Sequence, residues 1–128
     1  MDMRLKGKTA VVTGSSLGLG KAMALGLAQE GANVTICARR NEHLETTKKE
    51  IENTGVQVLS VEADMNSKID IEKVISETVS KFGKLDILIN NAGDAAVGRK
   101  IDDEDDVWQA MYDICLWSCI RATRAAVP

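Results

Sequence analysis

The 128-residue sequence holds a single proline, and it is the last residue, Pro128. Histidine is as scarce, with His43 alone, and the cysteines are Cys37, Cys115 and Cys119. So few thiols build no disulfide framework, and they fit a reducing cytoplasm. One imidazole also leaves zinc without an ordinary donor set. Cys115 and Cys119, four apart on one helical face, read as small buried or interfacial residues. Aromatic residues make up 3% of the chain. No apolar run approaches the roughly 20 residues of a membrane span. The opening Met-Asp-Met-Arg-Leu-Lys-Gly-Lys lacks the apolar stretch of a signal peptide. Positive charge is not in excess either: sixteen basic residues face nineteen acidic ones, a net charge of −3, which argues against a general nucleic-acid binder.

What is present is a soluble globular composition, 45% apolar and 27% charged, sufficient for one domain over residues 1–128 and too little for two. Short β-branched or apolar runs predict strands at Lys8–Gly14, Asn33–Arg39, Gln57–Asp64 and Leu85–Asn90, the last apolar enough to be buried on both faces. Between them lie helical patterns. The first, over 18–30, is rich in Ala, Leu and Met and stops at Gly31. The second runs from Asn41, its predicted cap, to about Thr54, with Leu44, Thr47 and Ile51 on one face. The third, capped by Asn66 or Ser67, repeats Ile71, Val74, Ile75, Thr78 and Phe82 at helical spacing and ends at Gly83. A fourth helix is expected from about Asp103 to Val127. Strict β-α alternation predicts an α/β fold: a doubly wound parallel sheet with helices on both faces. No linker or repeat interrupts it.

The first strand runs directly into Gly14-Ser15-Ser16-Leu17-Gly18-Leu19-Gly20, and a helix follows. Gly14 lets the chain turn off the strand, Gly18 removes a Cβ where a pyrophosphate would approach, and Gly20 lets the helix pack on the sheet. The free N–H groups and positive dipole end of the new helix would then face the phosphates. The plainer alternative is a tight strand-to-helix turn with no ligand. With Thr13 before it, this spacing resembles the cofactor loop of the short-chain dehydrogenase/reductase family. Asn90-Asn91-Ala92-Gly93 at the end of the fourth strand resembles that family's Asn-Asn-Ala-Gly motif. Asp64-Met65 stands where the family has an Asp beside the adenine ring, and Leu85–Ile89 resembles the run into the Asn-Asn motif. The resemblance covers essentially the whole chain. It implies a Rossmann-like sheet that binds a nicotinamide dinucleotide, with the backbone at Asn91, Ala92 and Gly93 along the ribose and toward the nicotinamide. On the plainer reading, Asn90 and Asn91 hold strand ends together and Asp64 is a turn residue bonding nearby N–H groups.

The second strand ends Cys37-Ala38-Arg39-Arg40, with no acid until Glu42. A carboxylate here would favour NAD through the ribose 2′-hydroxyl, whereas guanidinium groups suit a 2′-phosphate. The expected cofactor is therefore NADP over NAD, with Arg39 the better placed and solvated surface charges the alternative. Relatives that use NADP often carry a basic residue in the glycine loop, where this chain has Leu17.

Hydride transfer in the family uses a Tyr-x-x-x-Lys pair, an upstream Ser and a helical Asn. Here Tyr112 is followed four residues later by Leu116, Cys115 occupies the slot of the helical Asn, and Ser118 comes too early. No catalytic residue is therefore assigned, and Tyr112 is expected to pack at an interface. The resemblance implies that the chain is the cofactor half of a longer enzyme acting on a ketone or secondary alcohol. Its fourth strand would then be a sheet edge. The last helix carries more apolar positions (Val107, Trp108, Met111, Ile114, Leu116, Trp117, Ile120) than one stripe can bury, so a homo-oligomer or partner chain is expected there. Trp108 and Trp117 read as packing residues. The acidic run Asp102–Asp106 reads as helix-start charge rather than a metal site. The rival readings are a non-catalytic nucleotide-binding or interaction module, and a functionless truncated product.

Overall fold

The computed structural model describes residues 2–15, 18–92 and 102–127. The contacts expected at Ser16, Leu17 and Gly93 lie outside the described residues. Four strands, β1 (Thr9–Val12), β2 (Asn33–Ala38), β3 (Val58–Glu62) and β4 (Ile87–Ile89), form one parallel sheet in the order β3-β2-β1-β4. The helices are α1 (Gly18–Gln29), α2 (Leu44–Glu52), α3 (Lys68–Phe82), α4 (Asp105–Tyr112) and α5 (Ser118–Ala126).

Strand periodicity sorts the core. Val12 and the β2 residues Val34 and Ile36 pack with Ala24, Ala28, Leu44 and Ile51, so α1 and α2 cover one face. Val11 and Cys37 point the other way and pack with Ile71, Val74 and Ala122, so α3 and α5 cover the opposite face. This is the doubly wound arrangement that alternation predicts. Ile36, Leu44 and Ile51 are fully buried, and cutting any of them to alanine carries a cost of about 2–5 kcal/mol.

Local chemistry sets the element ends. Ser67, not Asn66, caps α3: its hydroxyl accepts from the Asp70 N–H. At α2 the cap position falls on His43, with no side-chain cap bond, so Asn41 does not cap. Asn41 contributes its carbonyl instead, accepting from the Leu44 N–H. The fourth strand is shorter than expected and its residues are only half-buried, because it lies at the sheet edge with β1 on one side.

The last helix is not continuous. Residues Asp113–Trp117 form a π-helical turn between α4 and α5. Ser118 supplies a cause. Its hydroxyl donates to the Ile114 carbonyl, the acceptor an α-helix would offer to the Ser118 N–H, and that N–H reaches back to Asp113 instead. As the excess of apolar positions on this helix implies, several of its large side chains stay uncovered. Trp108, Tyr112, Leu116 and Trp117 are 40–55% exposed, Cys115 is exposed and Cys119 half-buried. Asp105 and Asp106 occupy the first turn of α4, where the dipole favours them. No described helix is long and apolar enough to cross a membrane.

Candidate functional site

In a parallel sheet of this order the chain winds outward from β1 through β2 to β3, then returns to the other side of β1 for β4. The crevice beyond the carboxyl ends of β1 and β4 is where such sheets bind ligands. Thr13, just past β1, closes its base. Its buried hydroxyl accepts from the N–H groups of Asn91 (2.9 Å) and Ala92 (2.8 Å), and its own N–H donates to the Ile89 carbonyl. Those two N–H groups are thereby engaged within the protein.

The glycine loop interlocks with this end of β4. Gly14 sits at φ +61°, and the Asn91 side-chain amide donates to its carbonyl at 3.1 Å. A Cβ on Gly20 would overlap that carbonyl oxygen and lie 2.5 Å from Asn91 Nδ2. The close approach of Gly20 is therefore made both to the loop carbonyl of Gly14 and to Asn91 just past β4. Among the described residues, a Cβ on Gly18 would meet nothing within 4 Å. Leu19 beside it is 71% exposed.

Ser15 faces inward. It is fully buried; its hydroxyl donates to the Val12 carbonyl (2.6 Å) and accepts from the Cys37 N–H (3.0 Å), and its N–H donates to the Cys37 carbonyl. These groups hold the loop against β2 and leave Ser15 neither a hydroxyl nor an N–H for a ligand. Since Ser15 does not cap α1 and no acidic residue stands in its first turn, neither neutralises the helix N-terminus. Burial pushes the Cys37 thiol up to about 11 against a weaker opposing bond from Gly14, so it stays protonated.

At the end of β2, Arg39 and Arg40 are exposed and make no salt bridge among the described residues. Lys21, the basic residue of α1, is paired with Glu50 of α2 at 2.9 Å. At the end of β3 the Asp64 carboxylate accepts from the Asn66 N–H, as a turn residue does, while the Asp64 N–H donates to Asp70 Oδ2. Met65 is buried in the core, so its side chain is not available to a ligand. Asn90 points away from the crevice and donates to the Thr123 hydroxyl of α5. Thr13 and Asp70 received no role of their own from the sequence. The Ser-x-x-Asp spacing from Ser67 to Asp70, at a helix start, was the available signal for the second.

The profile of the short chain dehydrogenase family matches residues 8–128. The chain belongs to that family. It is 32% identical over 126 residues to the 3-oxoacyl-[acyl-carrier-protein] reductase of Thermotoga maritima, covering 98% of this chain and 51% of the reductase. Among solved structures it is similar to the L-sorbose reductase of Gluconobacter frateurii complexed with NADPH and L-sorbose, with TM-score 0.94, 37% identity and coverage of 100% of this chain and 49% of that one. It is similar also to an NAD+-bound xylitol dehydrogenase, with TM-score 0.91, 28% identity and coverage of 96% and 48%. The chain thus spans about half the length of these short chain dehydrogenases.

Proposed function

We propose that this chain is the dinucleotide-binding half of a cytoplasmic short chain oxidoreductase that uses NADP in preference to NAD and acts on a ketone or secondary alcohol. The observation that carries it is the interlock of Gly14, Gly20 and Asn91, beside a Gly18 whose added Cβ would meet no described residue within 4 Å and a helix whose first turn holds no acidic residue. A helix start of this kind, with its free N–H groups and positive dipole end, suits a pyrophosphate.

Gly14, Gly18, Leu19 and Gly20, with Ser16 and Leu17 between them, would hold the phosphates, while Ser15 keeps the loop in place. Arg39, with Arg40, would take the 2′-phosphate, since no carboxylate precedes Glu42 to repel it. Asp64 and the backbone at Met65 would meet the adenine. Asn91, Ala92 and Gly93 would line the path toward the nicotinamide. When bound, the nicotinamide ring supplies or accepts the hydride. The chain's own part is to bind and orient: Tyr112 has Leu116 where the family's lysine would stand, so no residue here moves the proton. The exposed face of Trp108, Tyr112, Leu116 and Trp117 supports self-association as part of the same reading, and a role as a nucleotide-binding partner of another chain as the alternative.

Titration with NADPH and NADH tests the cofactor. Arg39→Ala is expected to weaken NADPH by roughly 10- to 100-fold, the worth of a charge-assisted bond, with little change for NADH. Equal loss for both removes the preference for NADP, and no binding of either by the unsubstituted protein overturns the dinucleotide reading.

A further inference from the structure

The Arg121 guanidinium joins segments 55 residues apart. Its Nη1 donates to the Asn66 carbonyl at 3.2 Å, and the group lies 5.6 Å from the centroid of the Trp117 ring. Asn66 is two residues past Asp64, and its N–H is the donor that the Asp64 carboxylate accepts at 2.9 Å. Within the β3–α3 unit Asp70 accepts from the Asp64 N–H and the Ser67 N–H donates to the Asp64 carbonyl, while at the start of the loop the Ala63 N–H donates to the Ala38 carbonyl of β2. Arg121 reaches the loop from α5, beyond β4 in the chain. The carbonyl and N–H of Asn66 flank one α-carbon, so a cation that fixes the first restricts the second, and with it the direction of the Asp64 carboxylate.

We propose that Arg121 is a positioning residue for the adenosine half of the bound dinucleotide, acting through Asn66 on Asp64, and that Trp117 senses whether that half is occupied. The proposal rests on the dinucleotide reading above. It adds a device that links the adenine-side loop to the π turn: the same guanidinium holds the loop carbonyl and sits over the indole, so a shift at one end is felt at the other.

The test uses the intact protein as its source makes it. NADPH and NADH are titrated first, then the adenosine phosphate and nicotinamide mononucleotide halves of whichever binds, with tryptophan emission recorded and Trp117→Phe as the control that assigns the signal. Arg121→Ala is expected to weaken the dinucleotide and its adenosine half by about three- to tenfold, the range of one hydrogen bond, and to leave the nicotinamide half unchanged. The emission change caused by the adenosine half is expected in the unsubstituted protein, absent in Trp117→Phe and Arg121→Ala, and partly restored in Arg121→Lys, whose ammonium can still donate to the carbonyl. Unchanged affinity for the adenosine half in Arg121→Ala overturns the proposal. So does equal weakening of both halves, which marks general loosening, or an emission change that survives in Trp117→Phe. If the unsubstituted protein binds neither dinucleotide, the functional reading itself fails, which these outcomes keep distinct.

Discussion

Gly20 is fixed by contact rather than by backbone conformation. Its missing Cβ is the space taken by the Gly14 carbonyl and the Asn91 amide, so the start of α1, the loop and the end of β4 are one packed unit. Gly20→Ala must push the loop off Asn91. It is expected to cost about 1–3 kcal/mol, as overpacking does, and to abolish nucleotide binding. Chemical denaturation and NADPH titration check the two effects, and a variant that binds normally would show that the loop yields without harm. The close approach at Gly14 and Gly20 was legible in the sequence because a glycine at a strand-to-helix turn marks a place with no room for a Cβ. The inward turn of Ser15 and the burial of Met65 were not, since which way a side chain points past a strand end depends on partners 22 residues away, as for Ser15 and Cys37, or on a helix packed over it.

At the scale of elements, β1 and β4 are tied at both ends, by Thr13 at the site and by Asp86 at the other end. The Thr9 N–H donates to Asp86 Oδ2 at 2.9 Å, and the Asp86 N–H donates to the Thr9 carbonyl. The bond from Thr9, helped by the Lys84 ammonium, holds the Asp86 carboxyl below its ordinary value. A carboxyl lowered in the fold binds its proton less tightly than in the unfolded chain. Its stabilising contribution is therefore complete above the unfolded value of about 3.9 and is lost as pH falls through the lowered folded value. Melting temperature is expected to fall less steeply in acid for Asp86→Asn than for the unsubstituted protein, and equal slopes would show that the carboxylate contributes nothing. Alternation made the four strands and their flanking helices legible. The π turn was not, because apolar spacing reports faces and carries no trace of a hydroxyl that takes a carbonyl from its own N–H, as that of Ser118 does at Ile114.

At the scale of the whole molecule, the exposed large apolar residues among those described include a group on the final helical segment, with others at Met3, Leu19, Ile69 and Val79. A groove of about 300 Å³ runs beside β4, its lining mixed, with Asp86, Asn90 and Thr123 beside Leu88, Ala126 and Val127. The exposed rings of Trp108, Tyr112 and Trp117 lie on the final helical segment. Scattered apolar residues need no explanation, and the rings gathered on this segment are what support the self-association proposed above. Light scattering is expected to give an oligomer that Trp108→Glu combined with Leu116→Lys converts to monomer while the helix content holds. A monomeric unsubstituted protein would overturn this. Ser15 carries a different kind of consequence, one of order in time. Its bonds to Cys37 require β2 to be in place beside β1, and every strand pair here is parallel, so none can close as a local hairpin. Chain closure over a helical crossover must come first, and such long-range closure is slow. The bonds of Ser15 therefore form late, and a nascent chain that has made only β1 and α1 has the glycines but not the strand that anchors them.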